Sequence, residues 1–295
     1  MATAPDRLLR RLEWKLGRRL DGRLQGSYRT VWHGSGFDFT DLRVYTPEDD
    51  VRHIDWNVTA RLDEPFVRQY TEDREMTAWL VVDRSASMRF GGGSGKESTA
   101  AELAVSIARL ISQGGNRVGA ILYDNAGHRL IPPRTGRDQI LRIARDLTAD
   151  IVPKKSDKTT DLTAMLRFAA TTTSRRRSLV FVMSDFIGDP GWDRPLAQLT
   201  HRHEVVVIRV VDPSELELPD LGLVLVEDAE TGEQLLVDTS DPLLRARLTE
   251  QVGAREDELA AGMRKAGVDA HRITTDQDMM ATLVDMVRRS GRRRR

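Results

Sequence analysis

Two stretches constrain the fold more than any other feature of the chain. Ser178 to Met183 (SLVFVM) and Glu204 to Val211 (EVVVIRVV) are almost continuously apolar. A strand with one wet face alternates apolar and polar residues; a run this uniform must be covered on both faces, as a central strand of a parallel sheet is. Ala78 to Val82 (AWLVV), Arg117 to Tyr123 (RVGAILY) and Val268 to Ile273 read as further strands, and His128 to Ile131 as a short one antiparallel to RVGAILY. Between them lie segments with helical spacing. One opens at Thr99, where Glu102 three residues later makes a capping-box pattern, with Leu103, Ile107, Leu110 and Ile111 on its apolar side. Others are expected over Arg137 to Leu147, Thr163 to Thr173 and Pro195 to Thr200. Leu223 to Val226 and Gln234 to Val237 flank Thr231-Gly232 as a hairpin. A long helix is expected from Pro242 to Ala266 with Gly267 at its C′ position, and a last one from Met279 to Arg289. This alternation predicts an α/β fold with a doubly wound, mostly parallel sheet of the Rossmann type. Right-handed crossovers then gather the strand-to-helix loops at one edge, where open α/β sheets hold their ligands.

Residues 1–75 read as a smaller N-terminal module, residues 76–291 as the α/β domain and residues 292–295 as a solvated basic tail. In the first segment Leu8, Leu12, Leu16 and Leu20 form one apolar helix stripe flanked by arginines. The favoured role of that stripe is docking on its own domain or on a partner helix; lying on an anionic membrane is the less favoured role. Gly34, Gly36, Pro47 and Pro65 punctuate the rest of the module, which suits a few short strands. Arg43, Arg52 and Arg61 alternate there with Asp41, Asp49, Asp50 and Asp55, which suits an ion-pair network that fixes an irregular module. An Arg-lined surface for an acidic partner is the functional alternative.

The 45 basic and 45 acidic residues cancel, so the whole molecule is not a nucleic-acid binder by charge. Cysteine is absent, which excludes disulfides and thiolate metal sites and fits a reducing compartment. No apolar run reaches the length of a membrane span, and no signal peptide opens the sequence. A soluble, cytoplasmic protein is expected.

Chemistry concentrates after the first strand. Asp83-Arg84-Ser85-Ala86-Ser87 presents one carboxylate and two hydroxyls at alternate positions. Thr160-Asp161 precedes a helix, and Asp185 ends the strand SLVFVM. A hard divalent cation takes oxygen ligands and keeps several waters, and these three segments supply such oxygens if they meet at one sheet edge. Asp and Ser after a strand are also common turn formers, which is the competing reading.

The pattern resembles the metal-ion-dependent adhesion site of von Willebrand factor A domains. Asp83, Ser85 and Ser87 match its Asp-x-Ser-x-Ser, Thr160 its threonine (with Thr159 where glycine is usual) and Asp185 its later aspartate. The resemblance implies that these five residues hold a divalent cation, Mg²⁺ first, with Mn²⁺ or Ca²⁺ as alternatives. Upstream, Gly36 to Tyr45 (GFDFTDLRVY) and Pro47 to Trp56 (PEDDVRHIDW) are similar to the signature block of bacterial DUF58 proteins, with Glu48 where glycine is usual. Asp212-Pro213, Glu217-Leu218-Pro219 and Glu230-Thr231-Gly232-Glu233 also resemble that family. Many of its members carry a transmembrane hairpin near the N-terminus; this sequence shows none, so the resemblance implies a soluble member. It further implies a partner of the MoxR class of AAA+ ATPases.

Other chemistries fit less well. Gly91 to Ser98 (GGGSGKES) fails the phosphate-loop pattern at Phe90 and at Glu97 and reads as a loop. His201 and His203 lack zinc spacing and read as a solvated loop. No nucleophile elbow or Ser-His-Asp set stands out. Asp83 follows a strand as a haloacid-dehalogenase nucleophile does, but Ser85 stands where that family has a second aspartate. The expected function is therefore a metal-dependent protein-binding module, not an enzyme: an adaptor or co-chaperone that offers an open coordination position to a client carboxylate. A metal-dependent phosphoester hydrolase is the alternative; it would need a positioned base and usually a second metal or an Arg clamp, for which Arg84 and Lys96 are near in sequence, while no His stands near the site.

Overall fold

The structure is a computed structural model and describes residues 37–278, apart from residues 48, 63, 73–75, 90–94, 125–126, 150–160, 174–175, 218–219 and 228–233. The expected basic N-terminal helix and the last helix at 279–289 lie outside the described residues.

A six-stranded sheet organises the chain. Its strands are β3 (Thr77–Asp83), β4 (Arg117–Asp124), β5 (Gly127–Arg134), β6 (Leu179–Ser184), β7 (Glu204–Val211) and β10 (Ala270–Thr274). They lie in the order β10-β7-β6-β3-β4-β5. Every neighbouring pair is parallel except β4 with β5. Strands β3, β4 and β5 extend the sheet one way and β6, β7 and β10 the other, so winding reverses between β3 and β6. A crevice at the C-terminal ends of those two strands is where a doubly wound sheet places a ligand. The expected α/β, doubly wound, mostly parallel architecture is the one present.

Helices cover both faces. One face carries α2 (Lys96–Gln113) and α3 (Arg137–Leu147) against Ala78, Leu80 and Val82 of β3. The other carries α4 (Leu162–Thr172), α5 (Asp193–Arg202) and α7 (Pro242–Lys265) against Trp79 and Val81. Alternate residues of β3 thus feed opposite cores, as the period-two geometry of a strand requires. β5 is longer than expected and contains Pro132 and Pro133, which an edge strand tolerates. The buried Gln139 amide donates to the Val118 and Pro132 carbonyls, at 2.8 Å each, where the β4–β5 register shifts.

Smaller elements precede and follow the sheet. β1 (Phe37–Val44) pairs antiparallel with β2 (Phe66–Glu72), and α1 (Trp56–Leu62) lies between them in sequence. The ion-pair network expected there is partial. Arg43 grips Asp49 with both terminal nitrogens, whereas Asp50 and Arg52 are exposed and 4.0 Å apart. Asp55 instead accepts the Asn57 and Val58 amides at the start of α1, a helix-cap role. The one-turn α6 (Pro213–Leu216) follows β7, and the expected hairpin is β8 (Leu223–Glu227) with β9 (Gln234–Asp238). No helix among the described residues is long and apolar enough to cross a membrane.

Three local expectations need correction. α2 starts at Lys96, three residues before the expected cap. The Ser98 and Thr99 hydroxyls turn back to the Gly95 carbonyl, so Thr99 lies inside the first turn and does not open the helix. His203 is not solvated: it is buried, its Nδ1 accepts the Ser178 amide at 3.2 Å and its Nε2 faces the Thr173 hydroxyl at 3.1 Å. Burial, then Arg202 and Arg177, lower its pKa, so a neutral ring serves as a structural bridge. The third is the final strand, which starts at Ala270 because Gly267 and Val268 still belong to the helix cap. Gly267 (φ 74°) and Val268 return their amides to Arg264 and Met263, a complete Schellman closure.

Two glycines of α7 should respond oppositely to alanine. A Cβ at Gly262 would sit 2.7 Å from the Trp192 ring, whereas at Gly253 it meets nothing within 4 Å. Gly253→Ala is expected to raise stability by up to about 1 kcal/mol through helix propensity. Gly262→Ala should lower it by about 1–2 kcal/mol, because overpacking a rigid indole outweighs that gain. Urea midpoints shifted the same way in both variants would contradict the Trp192 contact.

Candidate functional site

β3 ends on Asp83 and β6 on Ser184, next to each other at the reversal point of the sheet. The two ends are joined directly: the Ser184 hydroxyl donates to Asp83 Oδ2 at 2.6 Å. Asp83 Oδ1 accepts the Ser85 amide at 2.9 Å, which bends the chain back after the strand. That bend brings the Ser85 and Ser87 hydroxyls within 3.0 Å of each other. Ser87 opens a short 3-10 turn, Ser87–Arg89. The Ser184 hydroxyl also accepts the Phe186 amide at 3.0 Å, and Phe186 adopts φ 57°. A bulky residue in the left-handed region carries strain and needs surrounding packing to hold it. Here Trp192 stacks edge-on against the Phe186 ring at 5.1 Å. Asp185 lies on this turn; its Oδ1 accepts the Ile187 amide at 2.9 Å, and its charge acts on Asp83.

Asp83, Ser85, Ser87 and Asp185 are all buried, Asp83 completely. Burial raises the Asp83 pKa to about 6, with the neighbouring Asp185 charge as the next cause. Hydrogen bonds from Ser184 and Ser85 oppose the rise without cancelling it. Two carboxylates and two hydroxyls buried together at the strand ends, with one carboxylate reluctant to ionise beside the other, is a donor set that suits a hard cation. Among the described residues no group of three His, Cys, Asp or Glu is placed to hold a metal ion, so a cation here would depend on the serine oxygens.

Thr160 lies outside the described residues. Its neighbour Asp161 accepts the Ala164 amide at 2.8 Å and so acts as the N-cap of α4. After burial, the charge of Asp161 is the next cause of the raised Tyr123 pKa, and Asp83 comes after it. Tyr123 pairs with Asp83 across β3 and β4, so residue 161 stands at the same end of the sheet as Asp83.

Three charged residues outside the five-residue pattern adjoin it, Arg84 and Lys96 among them as the hydrolase alternative named them. Lys96 is fully buried, 2.7 Å from Asp185 Oδ2, and also donates to Glu215 of α6. Arg209 of β7 donates from Nε to the Asp185 carbonyl at 3.1 Å and grips Glu256 of α7 with its other nitrogens. Arg84 points away from the crevice to Glu97 and to the Asp146 and Ala149 carbonyls. Lys96 was findable: it shares one helical stripe with Ala100, Leu103 and Ile107, all buried.

Uncharacterized proteins of Mycobacterium tuberculosis and Mycobacterium bovis are each 38% identical to this chain over 290 residues, covering 97% of this chain and 89% of theirs. Among solved structures, the conserved hypothetical protein BatB from Bacteroides thetaiotaomicron is 13% identical with a TM-score of 0.47, covering 74% of this chain and 99% of its own. A von Willebrand factor type A structure from Catenulispora acidiphila is 11% identical with a TM-score of 0.40, covering 75% of this chain and 43% of its own. The family described as "Protein of unknown function DUF58" matches residues 41–258, from β1 through most of α7, and the chain belongs to that family.

Proposed function

We propose that the protein is a metal-dependent protein-binding module that works in the cytoplasm as an adaptor or co-chaperone with a MoxR-type AAA+ ATPase. The observation that carries the reading is the convergence of Asp83, Ser85, Ser87 and Asp185 at the sheet's reversal point. Ser85, Ser87 and Thr160 would ligate the ion through their hydroxyls, and Asp83 and Asp185 would hold its waters. Mg²⁺ is the first candidate, since it keeps several waters and needs few protein ligands. The ion would supply a Lewis-acidic position for a carboxylate of the client protein. The protein's own part would be to hold these oxygens together at the buried strand ends. ATP use would belong to the partner.

Calorimetric titration of Mg²⁺ and Mn²⁺ into wild type and Asp83→Ala tests the site. Wild type should bind, and the variant should lose affinity by more than about tenfold. A pull-down with the ATPase should then depend on the metal in wild type only. Equal affinity in the two proteins would remove the metal from this reading.

A further inference from the structure

Lys96 is an unusual neighbour for a cation site. Lysine normally buries its stem and keeps its ammonium in water, yet here the whole side chain is 0% exposed. An ammonium taken from water is costly unless carboxylates pair with it. Asp185 and Glu215 do so, one from the end of β6 and one from α6. α6 is itself fixed. Asp212 and Glu215 form a capping box around its first turn, and Asp212 Oδ2 accepts the Thr275 hydroxyl at 3.0 Å. Asp185 thus feels the charges of both Asp83 and Glu215, and its own oxygen accepts from the Lys96 ammonium.

We propose that Lys96 is a built-in counter-cation of the site, competing with a divalent ion for the Asp185 carboxylate, while Glu215 draws the ammonium aside and moderates that competition. The inference rests on the cation-site reading above and concerns its regulation. In the empty site Lys96 offsets the repulsion between the carboxylates, so the crevice folds without metal. When an ion enters, Lys96 and Glu215 remain as a pair and the ion answers Asp83 and Asp185. Occupancy of the site is then linked to α6, which leads into the β8–β9 hairpin.

The two partners of this pair make opposite predictions. Lys96→Met removes a positive charge beside the ion and should tighten Mg²⁺ or Mn²⁺ binding by about tenfold or more. Glu215→Gln removes a negative charge and leaves the ammonium to Asp185, so it should weaken binding about three- to tenfold. A merely structural role for Lys96 would weaken binding in both variants. The full chain is titrated with each metal alone, with folding checked by circular dichroism, in wild type, Asp83→Ala, Lys96→Met and Glu215→Gln. If Lys96→Met fails to fold, Lys96→Gln, which drops the charge but keeps a hydrogen-bond donor for Asp185, is titrated in its place with the same expected tightening. Unchanged or tighter binding in Glu215→Gln, or weaker binding in a folded Lys96→Met, overturns the counter-cation role. That outcome is distinct from failure of the site itself, in which wild type and Asp83→Ala behave alike.

Discussion

Replacing Arg84 with methionine is expected to lower folding stability by about 3–5 kcal/mol, the range for breaking a buried, hydrogen-bonded charge pair. Arg84 stands between two site residues in sequence, but its side chain runs the other way. Nε and Nη2 reach Glu97 Oε1 at 3.0 and 2.9 Å, Nη1 reaches the Asp146 carbonyl at 2.8 Å and Nη2 the Ala149 carbonyl at 2.9 Å. Its side chain is 9% exposed and that of Glu97 30%, so solvent screens the pair only in part. Methionine fills the volume but leaves the carbonyl of the buried Asp146 without this donor. Arg84→Lys should recover little, because one ammonium cannot serve three acceptors spread over a planar fork. The segment from Asp146 to Ala149 would also lose its tether to the start of α2, so limited proteolysis after Ala149 should accelerate. A urea-derived loss below about 1 kcal/mol would mean that water replaces the guanidinium there.

How much of this was legible in the sequence depends on the length scale of the interactions. The central strands SLVFVM and EVVVIRVV declared themselves because burial on both faces leaves them almost continuously apolar, with Ser178 and Glu204 at their ends and Arg209 the one interior exception. Asp83, Ser85 and Ser87 were legible because a strand end and a two-residue period are local facts. The strand order was not local, yet right-handed crossovers narrowed it, and Asp185 does come to the Asp83 end through Ser184. The failures were of another kind. Thr99 and Glu102 fit a cap pattern, but the hydroxyl bonded inside its own turn, a choice between local acceptors that sequence does not rank. Lys96 is 89 residues from Asp185 and 119 from Glu215, and only the folded sheet makes them neighbours. His203 looked like surface because its neighbours in sequence are polar, while its hydrogen bonds go to Thr173 and Ser178, 30 and 25 residues away.

Asp83→Asn should make the metal-free protein more stable at alkaline pH while removing its response to metal. Burial and the charge of Asp185 raise the Asp83 pKa from 3.8 to about 6. The folded protein then binds more protons than the unfolded chain between those two values. Stability contributed by Asp83 is therefore greatest below the lower value, falls as pH rises through the upper one, and is flat beyond it. The ionised group costs the folded state up to about 3 kcal/mol, taking each pKa unit as about 1.4 kcal/mol. Asparagine removes that charge and can keep the Ser85 amide bond, but its amide nitrogen cannot accept from Ser184 at 2.6 Å. The net gain expected at about pH 8 is thus smaller, about 1–2 kcal/mol, or roughly 2–8 °C in Tm. Near pH 4, where wild-type Asp83 is protonated in the folded state, the variant should be the less stable one by about 1 kcal/mol, because the lost Ser184 bond is then no longer offset by relief of a buried charge. With Mg²⁺ at pH 8 the order should reverse: only wild type gains the mass-action stabilisation of a bound ion. Thermal melts in EDTA and in Mg²⁺ at both pH values read all four conditions. An asparagine variant less stable than wild type in EDTA at pH 8 would show that the ionised Asp83 is already satisfied by the protein alone, and that the crevice holds no charge for a cation to relieve.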